Sequence, residues 1–294
     1  MKNKSGFVTV IGRPNVGKST LINKIIGEKI NIVTNKPQTT RNKLRAIYTE
    51  DRGQIVFVDT PGFHKAKDEL DRYMLSQIYD SLKGIDLIIF VLDASFKFGK
   101  GDQYIYRQIK QSGIPFIVAL NKIDKVQKKK LLTRVKDYQK HVDKDIVPIS
   151  ARQEKNLDNL LTEAFTYLPE GPQYYPQDML TDQQERFVIA ELIREKIFIL
   201  TRQEIPYGVA VLIEEMKDRD EGKLFVRANI YVEQKSHKGI LIGKNGSMLK
   251  NIGRKARMDI EKLLNCEIYL DLWVKVQKDW RENENLLKRM GYRG

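Results

Sequence analysis

The chain has 294 residues, room for two domains with separate cores, and carries 52 Lys and Arg against 38 Asp and Glu, a formal charge of +14. That surplus suits a polyanionic partner, either nucleic acid or an anionic membrane surface. The single cysteine, Cys266, excludes intrachain disulfides and fits a reducing cytoplasm, and three histidines without ligand-like spacing give no reason to expect a zinc site.

Residues 1–6 lack the layout of a secretory signal and lead into a strand, so a cytoplasmic protein is expected. Phe7-Val-Thr-Val-Ile11 is short, apolar and β-branched, as a buried strand should be. Gly12, Arg13, Pro14, Asn15, Val16, Gly17, Lys18 and Ser19 follow as a Gly-x-x-x-x-Gly-Lys-Ser loop. Thr20 then opens a helix with Leu21, Ile22, Ile25 and Ile26 on one face and Gly27 suited to its C-cap. Such glycines let backbone amides turn toward an anion, and the helix N-terminus adds a favourable dipole. Lys18 is placed to reach β- and γ-phosphates, and the Ser19 hydroxyl to bind Mg²⁺. Asn15 has a carbonyl-bearing side chain that either fits the turn or holds a monovalent cation, K⁺ being the candidate, against the phosphates.

In the polar stretch Gln38-Thr-Thr-Arg41, Thr40 is the candidate for the second magnesium hydroxyl, with Thr39 as the alternative. The strand Ile55-Val-Phe-Val58 runs into Asp59, Thr60, Pro61 and Gly62. A carboxylate there holds Mg²⁺, usually through a water, and Gly62 offers an amide to the γ-phosphate. Lys18, Thr40, Gly62 and Asn15 are therefore the candidate catalytic residues. Phe63 comes next, and phenylalanine cannot orient an attacking water, so unaided hydrolysis is expected to be slow. His64 reads as a loop histidine. The run Leu87-Ile-Ile-Phe-Val-Leu92 reads as a buried parallel strand, far short of the ~18–20 residues that span a bilayer.

Phe116-Ile-Val-Ala-Leu120 leads into Asn121, Lys122, Ile123 and Asp124. Asp124 can accept from guanine N1–H and the N2 amine, Asn121 can bond N7, and the Lys122 stem can cover the base. Two bonds to a charged partner at roughly 1.5–3 kcal/mol each favour guanine over adenine by about 10²–10⁴. After Ile146-Val-Pro-Ile149, Ser150 and Ala151 place a backbone amide near guanine O6. Each element alone has a plainer reading, as a glycine turn, a strand-ending Asp or a helix N-cap cluster. The ordered series points to a guanine nucleotide.

From Leu168 to Pro176 three prolines and a glycine interrupt periodic structure, which reads as a linker. Thr181 is the expected N-cap of a helix through Phe187, Ile189, Ala190, Ile193 and Ile197. Strands Val209–Ile213 and Leu224–Val232 follow, joined by a charged turn over 217–222, then Gly239-Ile-Leu-Ile-Gly-Lys-Asn-Gly246, a helix near Ser247–Leu264 and a strand Cys266–Val276. Gly243, Lys244, Asn245 and Gly246 form a Gly-x-x-Gly loop of the kind that clamps four backbone nucleotides. Ile240 and Ile242 are placed to line a groove for unstacked bases. Between Lys235 and Lys262 eight basic residues, Lys250, Arg254 and Arg257 among them, oppose two acidic ones, 8 − 2 = +6. The rest of the surplus lies elsewhere: residues 1–180 hold 30 − 20 = +10 and residues 181–294 hold 22 − 18 = +4. Lys128–Lys130, Lys136, Lys140 and Lys144 are further polyanion candidates, although a solvated helix face explains them as well.

These motifs, with Lys36-Pro-Gln-Thr-Thr-Arg41, resemble over essentially the whole chain the Era family of bacterial ribosome-assembly GTPases. The resemblance implies an α/β fold: a P-loop GTPase domain at 1–170 with a mainly parallel sheet and helices on both faces, a linker at 171–180, and a smaller α+β type II K-homology domain at 181–294 with a C-terminal helix. It implies hydrolysis of GTP to GDP and phosphate, with GTP or GDP and Mg²⁺ as ligands. It also implies binding of 16S ribosomal RNA near its 3′ end, maturation of the 30S subunit, and peripheral contact with the inner membrane face by a monomeric, cytoplasmic protein. A phenylalanine after Asp-Thr-Pro-Gly is typical of the translation-factor-like branch it resembles. The expected mechanism is GTP-gated RNA binding, in which Thr40 and Gly62 touch the third phosphate only while it exists and the linker near Pro172 passes the difference on.

Overall fold

The computed structural model describes residues 3–34, 36, 38–63, 66–202, 204–219 and 223–292. Pro37, His64 and residues 220–222 of the expected turn lie outside them. Two compact units emerge: Met1–Asn31 with Thr40–Lys65 and Met74–Asp182, and Ile32–Thr39 with Ala66–Tyr73 and Gln183–Gly294.

Unit one is built on a six-stranded sheet in the order β2-β3-β1-β4-β5-β6. Its strands are β1 (Lys4–Ile11), β2 (Leu44–Glu50), β3 (Gly53–Asp59), β4 (Leu87–Asp93), β5 (Phe116–Asn121) and β6 (Ile146–Pro148). Its helices are α1 (Lys18–Ile26), α3 (Lys100–Ser112), α4 (Lys128–Gln139) and α5 (Leu157–Tyr167), with the C-terminal part of α2 (Glu69–Asp80). All neighbours pair in parallel except β2, which forms an antiparallel hairpin with β3 at the sheet edge. Every residue of β4 is buried, because the sheet has a core on each face. Leu87, Ile89 and Val91 pack with Leu21, Ile22 and Leu160, whereas Ile88, Phe90 and Leu92 pack with Ile105, Ile109 and Tyr138. This is why a buried parallel strand reads as a continuous apolar run. The hairpin turn needs Gly53: its φ is 140°, and a Cβ there would overlap the Lys4 carbonyl.

Unit two contains α6 (Glu185–Leu200), β7 (Val209–Arg219), β8 (Lys223–Val232), α7 (Lys235–Ile242), α8 (Ser247–Leu264), β9 (Ile268–Val276) and α9 (Glu284–Arg289). The sheet order is β7-β8-β9, with β7 and β8 antiparallel and β8 and β9 parallel. Ile189, Ile193 and Ile197 of α6 join Ile252, Ala256 and Ile260 of α8 over Val226, Ala228 and Ile230 of β8 in one apolar core. Trp280 is fully buried, stacks on Tyr292, and donates its indole N–H to Gly208 O at 3.1 Å.

Thr181 does not cap α6. The helix begins four residues later, with Gln184 at a cap position that makes no side-chain bond. The Thr181 hydroxyl instead donates to Arg45 O at 2.7 Å, and Leu180 O accepts from Ile47 N at 2.8 Å. An edge strand leaves backbone groups open, and this segment fills two of them on β2. The preceding residues are fastened as well, since Tyr174 and Tyr175 both donate their amides to Gln54 Oε1. Among the described residues no helix is long and apolar enough to cross a membrane.

Candidate nucleotide and RNA sites

Parallel pairing brings the carboxyl ends of β1, β3, β4 and β5 to one edge of the sheet, where α/β folds bind ligands. The loop from Gly12 to Ser19 turns through left-handed backbone at Asn15 (φ 63°) and Gly17 (φ 103°). A Cβ on Gly17 would overlap the Asn121 side-chain amide, and one on Gly62 would lie 2.8 Å from Pro14 N, so both glycines serve close approach as well as backbone freedom. Lys18 is buried at the centre of the loop, its ammonium 3.3 Å from Gly12 O and 3.3 Å from Arg13 O. Burial pushes its pKa down to about 8 against the attraction of Asp59. Arg13 donates through Nε to the fully buried Asp102 of α3 at 2.7 Å, and Asp102 also accepts from Gly99 N.

Three oxygens converge beside Lys18. Ser19 Oγ donates to Asp59 Oδ2 at 2.7 Å and lies 3.1 Å from Thr40 Oγ1. Burial pushes the Asp59 carboxyl up, against Lys18 and the hydrogen bonds from Ser19, Thr60 and Thr40. Asp59 Oδ1 is buried without a hydrogen-bond partner. An open oxygen on a carboxylate that two hydroxyls bond fits a hard, oxygen-seeking divalent cation. Thr39, the alternative to Thr40, has its hydroxyl engaged by Thr34 Oγ1 and Lys36 O, each at 2.7 Å. Thr60 donates to Val10 O, and Pro61 carries the chain on to Gly62. Phe63 turns away from polar work: it is buried, edge-on to Tyr79 and Tyr104 with ring centres 6.2 and 6.3 Å away.

At the other end, Asn121 is a hub. Its Nδ2 donates to Val16 O at 2.9 Å, and its Oδ1 accepts from Lys122 N at 2.8 Å and Ala151 N at 2.9 Å. An amide nitrogen has two N–H groups, so one remains for a base acceptor. Of the two residues expected to place a backbone amide near O6, Ala151 donates its amide to Asn121 and Ser150 donates its own to Lys155 O at 3.2 Å. Asp124 accepts from Ser150 Oγ at 2.6 Å, which leaves carboxylate lone pairs for a base donor. Lys122 donates to Asn15 O and lies 2.6 Å from Asp93 Oδ2.

Three buried polar residues at the site escape sequence reading. Asn31 donates to Asp59 Oδ2 at 2.9 Å, and it is a lone Asn between isoleucines with no motif to mark it. Asp93 and Asp102 follow the apolar β4 run. Asp93 does carry a visible signal, because it ends β4 as Asp59 ends β3.

In unit two the expected Gly-x-x-Gly loop joins α7 to α8. Gly243 (φ 72°), Asn245 (φ 51°) and Gly246 (φ 76°) all adopt left-handed backbone around a short 3₁₀ turn at Lys244–Gly246. A Cβ on Gly243 would lie 2.8 Å from Met248 Cβ. Ile240 is about half exposed, Ile242 packs partly into the core, and Lys244, Asn245, Lys250 and Arg254 are exposed. Arg257 lies about three turns along α8, where 3.6 residues make a turn. There it faces Glu261 at 3.5 Å and helps line an open cleft of about 530 Å³ at the start of β9, with Asn265 and Cys266.

Residues 7–122 match the family described as 50S ribosome-binding GTPase, and residues 204–281 match the KH domain. The chain is 62% identical to GTPase Era of Halothermothrix orenii over 100% of both chains. It is 55% identical to GTPase Era of Alkaliphilus oremlandii over 99% of this chain and 100% of the other. Among solved structures, a variant of Aquifex aeolicus Era bound to GDP and AlF4⁻ superposes with a TM-score of 0.95 at 41% identity, covering 98% of this chain and 99% of that one. Era in complex with MgGDPNP and nucleotides 1506–1542 of 16S ribosomal RNA also gives 0.95, at 40% identity and 99% coverage of each chain. The chain belongs to the Era family of GTPases, a P-loop GTPase domain followed by a K-homology domain, and its reaction is the hydrolysis of GTP.

Proposed function

We propose that this GTPase uses its nucleotide state to gate the binding of a 16S ribosomal RNA segment near the 3′ end, and so acts in assembly and maturation of the 30S subunit. The observation that carries the reading is the presence on one chain of a guanine-nucleotide constellation and a Gly-x-x-Gly loop between helices, in a family with a member solved in complex with MgGDPNP and 16S nucleotides. The domains are read as 1–170, a linker at 171–180, and 181–294. The protein works in the cytoplasm as a monomer, and membrane contact is peripheral, through the same basic charge that favours RNA.

In the GTPase reaction Lys18 binds the β- and γ-phosphates while the Gly62 amide meets the γ-phosphate. Ser19, Thr40 and Asp59 would hold Mg²⁺, which would supply positive charge to the phosphates. Asn121, Lys122 and Asp124 hold the base, and Ser150 and Ala151 complete that end of the site by bonding Asp124 and Asn121. Since Phe63 is packed between Tyr79 and Tyr104, no side chain at that position orients water. The Asn15 side-chain carbonyl would hold K⁺, which would supply positive charge to the phosphates in place of an arginine. Turnover in KCl above that in NaCl supports this role, and equal rates refute it.

Support for gating comes from unit two. Its segment Ile32–Thr39, which ends one residue before Thr40, is held by buried charges of α6. Val33 N donates to Glu195 Oε1 at 2.9 Å, Arg194 donates to Thr39 O, and Lys36 donates to Phe198 O and Thr201 O. Loss of the contact between Thr40 and the γ-phosphate therefore pulls on a segment anchored to the first helix of the K-homology domain. Linkage requires that RNA favour the GTP form by the factor with which GTP favours RNA. A fluorescent 16S 3′-end oligonucleotide titrated with the GDPNP and GDP forms tests this, and equal affinities refute it.

A further inference from the structure

Asp93 ends β4 with 3% of its surface exposed, beside Asn121 in the register of β4 and β5. Neither the nucleotide motifs nor the reaction assigns it a task, yet its carboxylate is fully engaged. Oδ2 is 2.6 Å from Lys122 Nζ, and Oδ1 accepts from Ser95 N at 3.0 Å and Ser95 Oγ at 2.5 Å. Its backbone is fixed too, since Tyr138 Oη donates to Asp93 O at 2.8 Å and Ala94 N donates to Asn121 O at 2.8 Å. Burial works to raise its pKa, but the hydrogen bonds from Lys122 and Ser95 win and hold it below the usual carboxylate range.

The lysine matters as much as the carboxylate. Lys122 has left-handed backbone, φ 66°, and its ammonium bridges Asp93 and the carbonyl of Asn15, 107 residues earlier in the phosphate loop. A free lysine side chain has many rotamers, and ordering it costs entropy. Here its tip is held from two sides by a rigid strand end and a loop carbonyl. Fixing a side chain in its bound pose raises affinity by removing the ordering cost at the moment of binding.

We infer that Asp93 is a positioning residue for guanine-nucleotide binding: it holds the Lys122 ammonium on Asn15 O, so that the lysine stem is set to cover the base and the base pocket is tied to the phosphate loop. The competing explanation is that Asp93 merely closes the turn at Ser95. Asp93→Asn separates the two, because its Oδ1 still accepts from Ser95 while the charge facing Lys122 is gone.

The inference rests on the nucleotide-site reading, and the experiment distinguishes their failures. GDP affinity and dissociation rate are measured with a fluorescent GDP on the full chain for the native protein, Asp93→Asn, Asp93→Glu, Ser95→Ala, Lys122→Met and Asp93→Asn with Lys122→Met, each with a thermal melt. Asp93→Asn is expected to weaken GDP about tenfold, mainly through faster dissociation, on the scale of ordering one long side chain. In the Lys122→Met background the same change has less than about a twofold effect, because Asp93 has no ammonium left to hold. Asp93→Glu keeps the charge and recovers at least half of the loss on a logarithmic scale, and it carries the test if the Asn variant does not melt cooperatively. Ser95→Ala binds GDP within about twofold of native, since the ion pair remains. Equal losses with and without Lys122, no loss in Asp93→Asn, a Glu variant as weak as the Asn variant, or a Ser95→Ala loss as large as that of Asp93→Asn each overturn the inference. If the native chain binds no GDP, the site reading itself falls.

Discussion

Replacing Asn121 with alanine should unsettle the protein before any nucleotide is added. The side chain is 2% exposed and makes three internal hydrogen bonds, to Val16 O, Lys122 N and Ala151 N. Each buried bond is worth about 1 kcal/mol net, so removing three costs about 3 kcal/mol. For a domain of 150–250 residues each kcal/mol moves the midpoint by about 2–4 °C, which gives a fall of about 6–12 °C. Asp124 is the contrast within the same tetrapeptide. Its carboxylate accepts from Ser150 Oγ, so Asp124→Ala should lower the midpoint by only about 2–4 °C, on the scale of one lost hydrogen bond. Differential scanning calorimetry of the nucleotide-free proteins measures both, and titration with GDP and ADP then reads guanine preference. Asp124→Ala should lose that preference at little cost in stability, whereas Asn121→Ala should lose stability and guanine affinity together. A fall below about 2 °C in Asn121→Ala would show that the hub is not a structural brace, and the reasoning would be refuted.

Nucleotide binding should weaken at alkaline pH. Burial pushes the Lys18 ammonium down to about 8 against the attraction of Asp59, and bound phosphates favour its charged form. Binding then takes up a proton above that pH, and GDP affinity should fall about eightfold from pH 7.5 to 9. The same shift has the opposite sign for stability: a base with a folded pKa below its unfolded value of 10.5 makes the nucleotide-free fold gain stability as pH rises from about 8. Calorimetric titration in buffers of different ionisation enthalpy checks the proton uptake, and a flat affinity would contradict it. Gly243→Asp combined with Gly246→Asp should reduce affinity for a 16S 3′-end oligonucleotide by at least about 100-fold in a mobility-shift assay, because two carboxylates replace a close approach to phosphates. Gly53→Ala should cost about 3 kcal/mol or prevent soluble accumulation, since φ 140° and the overlap with the Lys4 carbonyl leave no relaxed position for a Cβ. An unchanged melting midpoint would refute this.

Legibility of the fold from sequence followed locality. The loop from Gly12 to Ser19, the strand ends at Asp59 and Asn121 and the helix Ser247–Leu264 were readable because each is a contiguous pattern whose physics acts over a few residues. The Thr181 cap failed for a nonlocal reason, as its hydroxyl is satisfied by Arg45 O on an edge strand 136 residues away. The tuning of the nucleotide site is nonlocal in the same way. Lys122 meets Asp93, Asn121 meets Val16, and Asn31 meets Asp59 across 29, 105 and 28 residues, so no window along the chain contains both partners. Helix α6 makes the point most sharply. Its apolar residues give the expected stripe, yet Glu191, Arg194, Glu195 and Lys196 are buried too. Charges on a helix ordinarily mark its solvent face. Here Ile32–Thr39 supplies a backbone N–H and a carbonyl to two of them, and Asp259 pairs with Lys196. A buried ionic cluster of this kind adds little net stability once desolvation is counted, but removing one partner leaves an uncompensated charge. The energetic weight of those four residues therefore depends on whether the segment before Thr40 is in place, a dependence that no hydrophobic periodicity of α6 encodes.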